Sequence, residues 1–367
     1  MNLSDVNIAQ FFLILRDALW GGEEVDLQHV VWSDLMRLAK EQAVFGLVFD
    51  VLSTESPKQI DNNILYEWIG ISEQIKRNNE FLNSEVSLFL EFLAENKIQC
   101  KVVKGQTVSS CYPKAYLRQS GDVDFWVPKD KYVACENVIE RKLGLVLQRQ
   151  ESEKHVEFRW HGVQYELHSH LAMFHNKKQQ RYFDDLVESD TGLNVKIGDI
   201  EMPTLSPTLN ALYIFVHLFF HLIHVGVGLR QFCDWMMWLH QYKNDIERRT
   251  LAEHLVFLGL YRPYCVLGAV LVDDLGLQSN EFPFEISEKD RKRSRKVLKD
   301  IIALGNFGHN NERIQKLGFL HSLHTGWRMC SQSFKYLDLA PKEVLLCVPY
   351  TVIWYLKKLF KIHFVDV

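Results

Sequence analysis

The sequence predicts an α+β chain in which a group of short strands sits between two helical regions. Two observations carry this. Apolar residues recur at helical spacing through residues 2–96 and again after Pro203. Between them the pattern becomes short apolar runs separated by turn residues, and residues 163–169 alternate apolar and polar side chains. The expected division is 1–96, an N-terminal helical region; 97–202, the strand-bearing core; and 203–367, a C-terminal helical domain.

In the first region Phe11, Phe12, Leu15 and Leu19 share one helix face, and Trp32, Leu35, Met36 and Ala39 share another. Residues 64–96 form long amphipathic segments around Trp68, Leu82, Val86, Phe89 and Leu93, while Ser56 and Pro57 break the run before them. Strands are expected at 98–103, 122–127, 145–149, 155–160 and 163–169, with a helix over 130–143 closed by Gly144 and a hairpin turn at His161-Gly162. The later helices are placed at 208–225, 229–242, 250–259, 262–275, 287–304 and 343–362, and the chain is read as helical from Pro203 to its end.

At 367 residues the chain is longer than one typical domain. Its net charge of -4 excludes an overall basic field for nucleic acid. Seven cysteines without a C-x-x-C pair read as reduced core residues, and the N-terminus lacks the basic start and cleavage site of a signal peptide, so a cytoplasmic location is expected. Residues 209–227 and 344–356 are greasy, but histidines interrupt the first and the second is too short to span, so both read as buried helices and no transmembrane segment is expected. The basic run 291–296 follows Glu288 and Asp290 and reads as a solvated helix face. The basic, aromatic C-terminal helix around Trp354, Lys357, Lys358 and Lys361 is a candidate for contact with a membrane surface or a partner.

The richest chemistry lies between Lys101 and Val127. On a strand, Asp122 and Asp124 point one way while Val123, Phe125 and Val127 point the other. Glu166 is presented similarly on a later strand, with His168 beside it, and Glu157 is its rival as a third acid. Three such carboxylates make a site for a hard divalent cation, which bridges protein oxygens to substrate phosphates. Lys104-Gly105 follows an apolar strand, so the backbone can approach a ligand there, and Lys104 and Arg118 can neutralise phosphate charge. His217, His221 and His224 share a helix face at metal-compatible spacing, but no Glu follows His217 as a zinc-protease motif requires, and core histidines are the plainer reading. G-x-S-x-G, Walker A and G-x-G-x-x-G motifs are all absent.

The order strand, Lys104-Gly105, helix, Arg118-x-x-Gly121-Asp122-x-Asp124, then a strand ending Glu166-Leu167-His168, resembles the nucleotidyltransferase superfamily related to DNA polymerase β. It is most similar to the bacterial family of uncharacterised nucleotidyltransferases, over residues 98–171, with Arg230 and Asp234 after a His-rich helix as a further likeness. The resemblance implies a small mixed-sheet nucleotidyltransferase core between helical regions. It also implies transfer of an NMP group from an NTP to an acceptor, which is a small molecule, an RNA end or a protein, with Mg²⁺ or Mn²⁺ as cofactor. Asp122, Asp124 and Glu166 become the catalytic and metal-binding residues; Lys104, Gly105, Arg118, Thr107 and His168 become nucleotide contacts. The chain departs from the superfamily twice. Gly105-Gln106 stands for Gly-Ser, leaving Thr107, Ser109 or Ser110 to supply a hydroxyl, and the third acid is Glu rather than Asp. These departures motivate an alternative, a weak or inactive nucleotide-binding module on the same fold.

Overall fold

The alternation in the central strands appears in space as a mixed sheet with one apolar face and one polar face. The computed structural model describes residues 5–25, 30–54, 60–149, 155–306, 319–349 and 352. Four helices come first: α1 (Asp5–Trp20), α2 (Trp32–Glu41), α3 (Phe45–Thr54) and α4 (Asn62–Glu95). Asp61 caps α4 by accepting from the Asn63 amide at 2.9 Å. Ser56 and Pro57 lie outside the described residues.

The core then runs β1 (Lys101–Val103), the short α5 (Gly105–Ser109), a 3₁₀ turn (Ala115–Leu117), β2 (Val123–Trp126), α6 (Lys129–Leu143), β3 (Gln148–Arg149), β4 (His155–Trp160) and β5 (Val163–His168). The strand order is β1-β2-β5-β4-β3, with β2 and β5 parallel and the other pairs antiparallel. The chain is therefore α+β, as expected. Its apolar face carries Val102, Phe125, Leu167 and Val156 in one register row and packs on α4. There Phe89 meets Tyr165 at 4.7 Å, Phe125 at 4.9 Å and Phe158 at 5.8 Å between ring centroids. The α4 residues that reach this layer, Leu82, Val86, Phe89 and Leu93, recur at helical spacing.

The edge strands are shorter than expected. The amide of Ile98 donates to the Leu93 carbonyl at 2.9 Å, closing the end of α4, so pairing starts at Lys101 rather than at 98. On the far edge only Gln148–Arg149 pair with β4. The hairpin turn holds, with His161 and Gly162 both at positive φ as a two-residue turn needs.

Beyond β5 come α7 (Lys177–Ser189) and a hairpin of β6 (Leu193–Ile197) and β7 (Ile200–Thr204), none of which the sequence pattern had indicated. Pro203 therefore lies in a strand, and the expected helical stretch begins after it. Six helices follow: α8 (Pro207–His224), α9 (Leu229–Gln241), α10 (Arg248–Phe257), α11 (Tyr261–Ala269), α12 (Glu288–Leu304) and α13 (Phe319–Phe334), with residues 341–349 also helical. A π turn (Val270–Asp274) extends α11, and α13 falls in the stretch read as helical without a boundary of its own. Most of the C-terminal helix expected at 343–362 lies outside the described residues, including Trp354, Lys357, Lys358 and Lys361.

By length and composition α8 could cross a membrane, but 67% of it is buried within the protein, as in a core helix. The basic face of α12 is solvated and answered by acids, Arg291 by Asp273 and Arg293 by Asp338 at 2.9 Å.

Because Phe89 fills the layer between α4 and three strands, Phe89→Ala is expected to cost about 3–5 kcal/mol of unfolding free energy. Urea denaturation followed by tryptophan fluorescence measures this, and an unchanged midpoint would contradict the packing described.

Candidate active site

Parallel pairing sets Asp124 of β2 directly opposite Glu166 of β5, and antiparallel pairing sets Glu157 of β4 opposite Glu166. Asp122 lies two residues before Asp124 and therefore on the same face. One ligand oxygen from each of Asp122, Asp124 and Glu166 falls within 4.8 Å of the others. The polar face of the sheet thus carries three converging carboxylates above the aromatic layer.

Asp124 is only 4% exposed. Its Oδ1 accepts from Lys104 Nζ at 2.8 Å and from His168 Nε2 at 2.7 Å. Burial alone would raise the Asp124 pKa, but Lys104 and His168 hold it far below the ordinary carboxylate range. Glu166 follows the same logic: burial opposes its charge, yet the His168 hydrogen bond leaves its pKa lowered. Asp122 moves the other way, raised chiefly by the Asp124 charge and then by burial.

Lys104 closes β1 at φ 57°, ψ -148°, a region that side-chain-bearing residues rarely occupy. Burial opposes its charge, but Asp124 leads a group of neighbours that keep the ammonium above its ordinary pKa. Gly105 continues the turn at φ 40°. From there Lys104 Nζ also reaches His217 Nε2 of α8 at 3.1 Å.

The facing wall comes from α8 and α9. Arg118 lies just after the 3₁₀ turn and is 3% exposed. It grips Asp234 of α9 with Nε to Oδ1 and Nη2 to Oδ2, both at 2.7 Å, and Tyr112 donates to the same Oδ1 at 2.7 Å. In return Arg230 of α9 donates to the Gln119 carbonyl at 2.7 Å. These contacts tie the loop that delivers Asp122 to the helices that follow the sheet. Between the two walls lies a cavity of about 340 Å³. A larger groove of about 1020 Å³ runs beside residues 98–101 and the β6–β7 hairpin, but the Lys101 and Asp190 groups there satisfy each other at 2.7 Å, and the converging carboxylates line only the smaller cavity.

A model of the uncharacterised nucleotidyltransferase family matches residues 28–273. The chain belongs to that family. The match runs from α2 through the sheet to α11, so both walls of the cavity fall inside it. No curated protein sequence matches the chain. Among solved structures, an antigenic nucleotidyltransferase-like protein from Paracoccidioides brasiliensis is similar over 53% of this chain and 92% of its own, at 14% identity and a TM-score of 0.34.

Family membership gives the chain a general nucleotidyl-transfer role, and the residues expected for it divide by position. Asp122, Asp124, Glu166, Lys104, Gly105 and Arg118 all line the cavity. Thr107 does not, being fully buried with its hydroxyl donating to the Lys104 carbonyl at 2.7 Å. Ser109 and Ser110 likewise spend their hydroxyls on the Gly105 and Thr107 carbonyls. None of these supplies the hydroxyl that the missing Gly-Ser serine would have given. His168 is fully buried beneath the acids and orders Asp124 and Glu166 instead of lining the cavity. The histidine triplet splits: His217 and His221 line the cavity, while His224 turns to Cys347 Sγ at 3.0 Å. Gln231, which also lines the cavity, carried no signal in the sequence, because a lone glutamine on an apolar helix has no motif.

The carboxylate cluster fits a divalent metal. Its donors are hard oxygens, and the raised Asp122 pKa reports excess negative charge that a dication would relieve. A second group, His155, Glu166 and His168, also brings ligand atoms within 4.8 Å, but His168 Nε2 is already engaged by Asp124.

The raised pKa has a sign that can be checked. Asp122 contributes most to stability below the ordinary aspartate value of 3.8, and the contribution is lost as pH rises through the raised folded value. In chelator at pH 7, Asp122→Asn should therefore denature at higher urea than the wild type, with the gap closing as pH falls toward 3.8. A less stable variant at pH 7 would contradict the repulsion.

Proposed function

We propose that this chain is a Mg²⁺- or Mn²⁺-dependent nucleotidyltransferase that moves an NMP group from an NTP to an acceptor hydroxyl or phosphate and releases pyrophosphate. The observation that supports this above all is the Asp124–Glu166 register pair with Asp122 beside it and Lys104 in contact with Asp124, all lining one cavity. In this reading residues 97–202 form the core, and residues 1–96 and 203–367 flank it.

Asp122, Asp124 and Glu166 would hold the metal, which when bound activates the attacking oxygen and stabilises the leaving phosphate oxygens. Glu166, kept ionised through His168, takes the proton from the acceptor O–H. The acceptor oxygen bonds to the α-phosphorus as the bond to the bridging oxygen breaks and pyrophosphate departs. Lys104 supplies a fixed positive charge to the phosphates, and the turn at Gly105 lets them approach the backbone. Arg118, already spent on Asp234, acts by positioning the loop. The acceptor is a small molecule, an RNA end or a protein. That no disulfide joins the cysteines among the described residues supports a reducing compartment, and the cytoplasm is the location proposed.

The binding-module reading draws support from the Thr107, Ser109 and Ser110 hydroxyls, all bonded within their own turn, and from the Lys104 ammonium already seated on Asp124. One experiment separates the two. The protein is incubated with NTPs labelled in the α-phosphate and with pools of small hydroxyl compounds, RNA or protein, with and without Mg²⁺ or Mn²⁺. Label transfer and pyrophosphate release are expected. Asp122→Ala and Asp124→Ala should abolish both while the circular dichroism stays unchanged, and Glu166→Gln should lower kcat by about 10²–10⁴-fold. Unchanged turnover in the aspartate variants would sink the assignment, and nucleotide binding without release would select the module.

A further inference from the structure

The cations around the cavity are not equivalent. Lys104 is answered by Asp124 and Arg118 by Asp234. Arg230 lines the same cavity, yet among the described residues no carboxylate lies within ion-pair distance of it. Its Nη1 bonds the neutral Gln119 carbonyl, and its Nε is buried without a partner. Burial, and then the nearby Arg118 charge, push its pKa down from the ordinary value, and the more distant Asp234 and Asp122 charges offset this only in part. The next residue, Gln231, is 5% exposed, and both its amide nitrogen and its amide oxygen are buried without partners.

Neither side chain is there by looseness. Gln42 fixes the start of α9, its side-chain oxygen accepting from the Leu229 amide at 3.1 Å and its carbonyl from the Arg230 amide at 3.2 Å. One helical turn later Asp234 is gripped by Arg118. Between these anchors, a guanidinium with an unmet Nε donor and no ion-pair partner among the described residues, and a carboxamide with an unmet donor and an unmet acceptor, line the cavity that the carboxylates also line. Buried polar groups of this kind are normally satisfied, and here the missing partner has a defined chemistry: an oxyanion next to a group that both donates and accepts.

We propose that Arg230 binds a phosphate oxygen of the nucleotide's polyphosphate and that Gln231 binds an adjacent donor–acceptor pair on its nucleoside. This rests on the nucleotide-binding reading above and assigns the recognition to α9 rather than to the strand-borne loop alone. Arg118 is then the positioning residue that presents Arg230.

Titration calorimetry on the full chain with Mg²⁺ tests this, using inorganic tripolyphosphate and each of ATP, CTP, GTP and UTP as probes. Arg230→Met should weaken tripolyphosphate and NTP binding alike by about 10–100-fold, as expected for a lost charged hydrogen bond, and Arg230→Lys should recover part of the loss. Gln231→Met, which keeps the shape and removes the amide, should weaken the preferred NTP by about 3–10-fold and leave tripolyphosphate unchanged. Wild-type affinity in a folded Arg230→Met, or a Gln231→Met loss that falls equally on tripolyphosphate, would overturn the assignment while leaving the nucleotidyltransferase reading intact. If Arg230→Met fails to fold, Gln231→Met decides: a loss confined to NTPs supports the proposal and no loss overturns it. A wild-type protein that binds neither probe would overturn the subsite and the proposed function together.

Discussion

A carboxylate as buried as Asp124 stays ionised only if its charge is answered, and the arrangement of the cavity follows from that answer. Lys104 and His168 meet the same oxygen from two sides. His168 comes from β5, two residues beyond Glu166 and so on the same face, and the strand pairing that aligns the acids also seats the group that orders them. With Asp124 held ionised, Asp122 feels its full charge and is left as the carboxyl whose ionisation is least favoured. The cluster therefore combines one satisfied acid with one whose charge an added cation would relieve.

The second constraint is reciprocal. Arg118, before β2, holds Asp234 on α9, and Arg230, one helical turn before Asp234, holds the carbonyl next to Arg118. A buried ion pair of this kind is weak evidence of net stability, because desolvation offsets the attraction, but it fixes geometry. The carboxylate strand and the helical wall cannot slide past one another without separating a bidentate pair. The width of the cavity is thus set above all by the Arg118–Asp234 pair, which takes no direct part in the chemistry proposed for it.

How much of this could be read from the sequence depended on whether the signal was local. β4 and β5 follow the expected ranges within a residue because strict alternation and a His-Gly turn are local properties. The β1 edge strand was read too long because the Ile98 side chain is buried in the core while its amide closes α4 rather than pairing. α7 was missed because its buried face, Gln179, Phe183, Asp184 and Val187, is half polar, so no apolar stripe marks it. The β6–β7 ribbon was missed because Pro203 argues against a strand, a rule that relaxes at the edge of a two-stranded pair. In the site, Asp122, Asp124 and Glu166 were legible through two-residue spacing. Arg118's partner was not, since 116 residues separate it from Asp234 and nothing in either neighbourhood names the other.

The same long-range contacts decide what the histidines of α8 do. Lysine only donates, so the Lys104 Nζ contact makes His217 Nε2 an acceptor and puts the His217 proton on Nδ1. His221 Nε2, 3.0 Å from His217 Nε2, then faces that nitrogen as a second donor. A nitrogen whose lone pair already faces two donors is not available to a metal, and His224 points to Cys347 instead. The triplet spacing that looks like a ligand set therefore divides: His217, with His221 behind it, backs the Lys104 ammonium seated on Asp124, and His224 faces Cys347. This in turn explains why a lysine is kept at a backbone conformation that costs about 1–3 kcal/mol for a residue with a side chain. Glycine would relieve the strain, but it would leave both Asp124 and His217 without the cation they converge on.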